Sequence, residues 1–327
     1  MSMKGLSCLL LDYDSLRQVL ARCRGFSILS AARGSFEGMT ITTVFGAPGA
    51  GKTTVLRSKF EAALADGLGT NDILVIAASR EAANDLRDEL ALKLQAATSG
   101  DLARTLNSCA FEILRERAAA QGSRMPELIS GSEQDRILAE IIESHLEDDL
   151  EQAGWPKHIN KQVVGLNGFR SELRDLISIS LEHWVDPDGL RGIGLQFGRA
   201  EWVAAADWFD EYLVSVGAFE NRFDSAMLLR EAISILKTYR WPQRWLDLKL
   251  ILVDDAQELT PAASDFIAVL ASKGASLVLL GDPDSSTLGF RAADPRAMAN
   301  LADRVAGIQG KKVEIEVLDA SLMKRAE

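Results

Sequence analysis

The stretch Gly46-Ala47-Pro48-Gly49-Ala50-Gly51-Lys52-Thr53, followed by Thr54, has the spacing Gly-x-x-x-x-Gly-Lys-Thr. Glycines so placed let successive backbone N–H groups turn toward a polyphosphate with no Cβ in the way. A helix starting at the lysine adds the positive end of its dipole. Lys52 is then expected on the β- and γ-phosphates, and the Thr53 hydroxyl on the Mg2+ that neutralises them. This is the chemistry of a nucleoside triphosphate held with Mg2+. A second chemistry-bearing pair lies far downstream, where the apolar run 248–253 ends in Asp254-Asp255. An acid-tipped buried strand suits metal binding and water activation, with Asp254 as the metal-side carboxylate and Asp255 as the acid that activates the attacking water.

These residues need a scaffold that brings them together. Thr40 to Phe45 reads as a short buried strand before the glycine-rich turn, and Thr53 to Ala65 as a helix closed by Gly67. Ile73 to Ala77 is a second strand. Ser79 is a plausible cap for a helix running to Leu94. Asp101 to Cys109 reads as a short extended piece leading into a helix from Ala110 to Ala120. Helical periodicity then dominates, in Ser132–Leu146, Gln162–His183, Ala200–Val216 and Ser225–Tyr239. All six tryptophans (Trp155, Trp184, Trp202, Trp208, Trp241, Trp245) lie between 155 and 245, which suggests an insert with its own aromatic core. Strand-like runs return at Leu248–Val253 and at Ser276–Leu280, the latter ending in Gly281-Asp282. Gly46 and Asp254 are 208 positions apart, far more than a crossover between neighbouring strands requires, so a domain must be inserted between them. The fold class expected is α/β, a parallel sheet with an all-helical insert.

Composition is that of an ordinary globular chain: 327 residues, 47% hydrophobic and 25% charged. No run approaches the ~18 apolar residues of a membrane helix, and Leu6 to Leu11 is too short for an export signal, so a cytoplasmic protein without a membrane partner is expected. Cys8, Cys23 and Cys109 suit reduced thiols better than disulfides or a zinc site. His145, His158 and His183 lack metal-ligand spacing and read as surface or capping residues. A formal net charge of −11 argues against a broad basic face for nucleic acid. Lys157, Lys161, Arg170 and Arg174 form a basic-leaning segment that reads either as phosphate contacts or, more commonly, as a solvated helix face.

Taken in order, Gly46–Thr54, Ile73–Leu90, Thr105–Leu114, Val253-Asp-Asp-Ala-Gln-Glu258 and Gly281 to Arg291 resemble the motifs of the UvrD/Rep/PcrA helicases of superfamily 1A. Within that superfamily, Val253-Asp-Asp-Ala-Gln257, together with residues 126–134, Trp155-Pro156 and Gly168 to Leu176 of the insert, looks most like the AdnA-type motor subunit of the actinobacterial helicase–nuclease. The resemblance implies a RecA-like P-loop NTPase domain built from 1–120 and 243–327, with a helical domain at 121–242 inserted. It implies catalytic roles for Lys52, Asp254, Asp255, Gln257 and Arg291, with Gln257 coupling nucleotide to DNA. Single-stranded DNA contacts are implied at Ser79, Thr105, Asn107 and Phe290, the last as a base-stacking aromatic. DNA ends and a second helicase–nuclease subunit are the implied partners, and double-strand break repair is the implied setting.

The departures from that family are specific. Asp255 stands where the family has Glu, Ser285 where it has Gln, Leu288 where it has Tyr, Ala78 where it has an aromatic, and Asn107 where it commonly has His. Gln18 lies too far upstream for an adenine-reading Gln. After Arg291 the chain runs only to Glu327, without the family's second RecA-like domain, so the expectation is the front half of a longer protein that turns over ATP poorly by itself. Two readings follow: an ATP-hydrolysing DNA motor, or a weakened nucleotide-binding structural subunit. A small-molecule kinase fits neither the long gap nor the Gly281 to Arg291 motif.

Overall fold

The computed structural model describes residues 40–94, 102–147, 154–218, 221–282, 284 and 296–318. These divide into two compact units, one running through 40–117 and 229–318 and the other through 118–228. Both boundaries fall inside helices, α3 (Leu106–Gln121) and α9 (Ser225–Thr238).

The first unit opens with β1 (Ile41–Phe45), α1 (Lys52–Ala65), β2 (Ile73–Ile76), α2 (Arg80–Leu94) and β3 (Ala103–Arg104). It resumes after α9 with a short α10 (Gln243–Leu246), β6 (Leu250–Val253), α11 (Pro261–Ala271), β7 (Ser276–Gly281), α12 (Ala297–Gln309) and β8 (Val313–Val317). Six strands pair in parallel in the order β3-β2-β6-β7-β1-β8. The four-residue runs of β2 and β6 are apolar and buried throughout, as strands covered by helices on both faces must be. On one face Val44, Val75, Leu252, Val278 and Leu280 pack with Leu56 and Phe60 of α1 and Leu86 and Leu90 of α2. Each such fully buried side chain contributes roughly 1.5–3 kcal/mol. On the other, α12 packs on β1 and β7, and Phe266, Ile267, Leu301 and Val305 of α11 and α12 are buried. The mixed α/β class with a parallel sheet is the one the residues predict.

The second unit holds β4 (Glu127–Leu128), α4 (Gly131–Glu147), α5 (Lys161–Val164), α6 (Asn167–Glu182), α7 (Pro187–Phe197), α8 (Ala200–Gly217) and β5 (Arg222–Phe223). It is not wholly helical, because β4 and β5 pair in parallel, with Glu127 N–H donating to Asn221 O at 2.8 Å and Ile129 N–H to Phe223 O at 2.9 Å. Its core contains Trp155 against Trp208 (ring centroids 4.9 Å) and Phe169 (5.3 Å), and His145 stacks on Trp208 at 5.1 Å. His145 is thus a half-buried packing residue.

Three local expectations need correction. The segment 162–183 is not one helix: Asn160 caps the short α5 by accepting from the N–H groups of Gln162 and Val163, and Gly165 and an extended Leu166 separate it from α6. Two β-branched residues followed by glycine make a weak place to continue a helix. Helix α3 begins at Leu106 rather than Ala110, since Thr105 Oγ1 accepts the Ser108 N–H at 3.3 Å and starts the turn early. The six tryptophans do not share one core: Trp241, and Trp245 as the 243–327 segment implies, belong to the sheet unit, where Trp245 Nε1 donates to Glu116 at 3.1 Å and Trp241 Nε1 to Leu236 O at 2.6 Å.

Candidate active site

Because the sheet is all-parallel, every strand delivers its C-terminal end to the same edge, where ligands of open α/β sheets bind. Phe45 of β1 is level with Gly281 of β7, and Leu279 of β7 with Val253 of β6. The turn after β1 and the acids after β6 therefore reach that edge on either side of β7.

The turn from Gly46 to Gly51 is shaped by its glycines. Gly49 (φ 78°) and Gly51 (φ 89°) occupy the left-handed region, and Gly51 is the residue that opens α1. Gly46 N–H donates to Gly281 O at 3.2 Å, and a Cβ at Gly46 would sit 3.2 Å from the Leu318 side chain. Ala50 N–H closes the turn on Ala47 O at 3.0 Å, with Pro48 between them. Lys52 Nζ folds back over the turn, donating to Gly46 O at 2.9 Å and Ala47 O at 3.2 Å. Thr54 points away and accepts from Arg57 at 3.2 Å.

Thr53 and Asp254 meet, with Oγ1 and Oδ2 separated by 3.5 Å. Asp254 Oδ1 also accepts the Asp255 N–H at 3.1 Å. Burial, then the neighbouring Asp255 charge, push the Asp254 carboxyl up to about 6; the Asp255 N–H, Lys52 and Thr53 oppose the shift without cancelling it. A hydroxyl beside a buried carboxylate that resists ionising is a hard-oxygen pair short of positive charge, which fits Mg2+.

Asp255 is held in the left-handed region at φ 47°, uncommon for a residue with a Cβ, where it opens a turn over Ala256–Glu258. Gln257, buried, ties the edge together. Its Nε2 donates to Asp255 Oδ1 at 3.2 Å, and its Oε1 accepts the Asp282 N–H at 3.1 Å. This amide reaches the tip of β7 only because Gly281 has no side chain: a Cβ there would lie 2.5 Å from Gln257 Oε1 and 2.5 Å from Met298 Sδ. Asp282, buried at the strand tip, accepts the Asp284 N–H at 3.1 Å. Reasoning from the sequence misses the bridge from Gln257 to Gly281 and Asp282; a Gly-Asp pair at the end of a buried strand is its only signal there.

Ser79 and Thr105 also stand at this edge, after β2 and β3. Each caps the following helix, Ser79 Oγ accepting the Ala82 N–H at 3.1 Å, and Asn107 lies half-buried in the first turn of α3. Phe290, Arg291, Ser285, Leu288 and Gln18 lie outside the described residues. The structure thus brings together Gly46 to Thr53, Asp254, Asp255 and Gln257.

Residues 33–306 match the UvrD/REP helicase N-terminal domain. The chain is 25% identical over 275 residues to the ATP-dependent DNA helicase srs2 of Schizosaccharomyces pombe, covering 82% of this chain and 30% of that protein. It is 21% identical over 277 residues to the ATP-dependent DNA helicase Rep of Salmonella typhimurium (83% of this chain, 38% of that protein), and shows the same identity to Rep of Escherichia coli. The chain spans about a third of the length of these curated relatives. The family match covers most of the chain, including both the glycine-rich turn and the acid-tipped strand that meet at one sheet edge, and the chain belongs to the UvrD/REP helicase N-terminal domain family.

Proposed function

We propose that this chain is the nucleotide-binding motor half of a DNA-dependent ATPase that translocates on single-stranded DNA. The observation that carries the reading is the approach of Thr53 to Asp254 at 3.5 Å beside the Gly46–Lys52 turn. In this reading Gly46 to Thr54 cradle the triphosphate, and Lys52 exchanges its two loop carbonyls for the β- and γ-phosphates. Thr53 and Asp254 hold Mg2+, which supplies charge neutralisation on the phosphates. Asp255 orients the attacking water and takes its proton as the water oxygen bonds to the γ-phosphorus and the bond to the bridging oxygen of ADP breaks. Gln257, fixed between Asp255 and the backbone after β7, passes the state of the nucleotide to the segment carrying Phe290 and Arg291.

Ser79, Thr105 and Asn107 are the proposed contacts to DNA on this unit. Two of them are hydroxyls at helix N-termini, groups suited to backbone phosphates. The finer reading is an AdnA-type subunit acting at DNA ends with a second helicase–nuclease chain; the motifs at 126–134 and 168–176 support it.

The test is ATP hydrolysis with and without single-stranded DNA by the native full-length protein and its Lys52→Ala variant. DNA stimulation lost at least 100-fold in the variant is the expected result. Tight nucleotide binding with negligible turnover in the unsubstituted protein would overturn the motor and leave a structural nucleotide-binding subunit.

A further inference from the structure

Acid is unevenly distributed in this protein. Between Ala118 and Leu228 the sequence has 20 Asp and Glu against 9 Lys and Arg, whereas outside that span the two signs balance at 27 each. The formal −11 of the chain is therefore the balance of that span.

The cations in that unit are also engaged. All seven arginines face carboxylates: Arg124 on Glu127, Arg136 on Glu140, Arg170 on Asp135 at 2.9 Å, Arg174 on Asp135 and Asp175, Arg191 on Asp188 and Asp207, Arg199 on Glu201, and Arg222 on Glu133 at 2.7 Å. Lys161 Nζ donates to Leu146 O at 2.7 Å. Among the described residues of the unit, only Lys157 has no such partner.

Affinity for nucleic acid comes mainly from unopposed cations that displace the counterions of phosphates. An exposed ion pair is worth only ~0–1 kcal/mol, so pairing alone would not stop an arginine from changing partners. The excess acid decides the matter, because a phosphate reaching Arg170 or Arg174 must approach the Asp135 and Asp175 carboxylates in a span where acids outnumber bases 20 to 9, and charges beyond a Debye length of ~8–10 Å are screened.

We infer that the 118–228 unit takes no phosphate of a bound nucleic acid and acts as an excluding surface, so that, of the two units of this chain, only the sheet unit contributes to the affinity for DNA and its salt dependence. This rests on the DNA-binding reading above. It assigns the Lys157, Lys161, Arg170 and Arg174 segment to fold electrostatics.

The test measures binding of a fluorescein-labelled oligothymidylate from low to moderate salt by the native protein, by Arg170→Gln/Arg174→Gln and by Lys157→Gln. The expected outcome is an unchanged slope of log affinity against log salt and less than a twofold change in affinity for both variants. Because each lost phosphate contact on a single strand reduces the slope by about 0.7, a slope shallower by that amount in either variant would overturn the inference. Since Arg170→Gln/Arg174→Gln removes both arginine partners of Asp135 and can perturb the fold, acetylation of Lys157 in the unsubstituted protein provides a second readout. Equal labelling with and without oligonucleotide is expected, and protection by the oligonucleotide would contradict the inference. Failure of the unsubstituted protein to bind the oligonucleotide at low salt is a different result; it would overturn the DNA-binding reading and this inference with it.

Discussion

The Asp254 carboxyl is the residue whose behaviour is most constrained by its surroundings. Burial and the Asp255 charge raise it from an ordinary 3.8 to about 6, so the fold binds its proton more tightly than the unfolded chain does. The sign follows: the stabilisation is fully present below about pH 3.8 and is lost as pH rises through about 6. A rise of that size corresponds to roughly 3 kcal/mol, an order-of-magnitude figure. Without Mg2+, denaturant melts should show this contribution falling between pH 4 and 6, against whatever the other groups contribute. With Mg2+ and ATP, binding should weaken about tenfold or more from pH 7 to pH 5, with proton release detectable by calorimetry in buffers of different ionisation enthalpy. The Asp254→Asn variant should lose both effects. The identity of these residues was legible in the sequence, because a glycine-rich turn and a strand-end acid are each defined by neighbours along the chain. The left-handed backbone of Asp255 was not, because nothing in an Asp-Asp-Ala-Gln string calls for a positive φ; the turn over Ala256–Glu258 imposes it.

Elements set how these residues share one edge. Strand β7 separates the phosphate turn from the acids, and Gly281 lets Gln257 seat its amide at the tip of that strand. Gly281→Ala should therefore cost about 1–3 kcal/mol, the range for overpacking a filled site, because Gln257 and Met298 must both shift. Urea melts measure the loss. The same variant should also lower DNA-stimulated ATP hydrolysis more than it lowers nucleotide affinity; an equal loss in both would place Gln257 outside the coupling path. Strands and long helices were readable from periodicity. The pairing of β4 with β5 was not, since their two-residue strands lie about a hundred positions apart and carry no pattern of their own. The early start of α3 and the break at Gly165 depend on caps supplied by Thr105 and Asn160, single polar residues whose role emerges only in the folded turn.

For the molecule as a whole, two compact units with separate cores predict that unfolding is not a single two-state event. Scanning calorimetry should resolve two transitions. Mg2+ with ATP should raise only one of them, since the proposed ligand-binding groups all lie in the sheet unit; saturation at a hundredfold over Kd is worth about 2.7 kcal/mol to that unit. A uniform shift of both transitions would mean that the units melt as one. The 208-position gap in the sequence already asks for an insert, whereas the tryptophans that lie within that gap serve two cores, a division that only packing reveals. The grip of Lys52 on its own turn has a last consequence. An incoming triphosphate must evict two carbonyl oxygens from that ammonium before it gains the charge, so capture is a swap of partners. Heat released on binding should accordingly be smaller than the count of new phosphate contacts suggests, and the turn is protected from gripping stray anions that offer the lysine less than it already has.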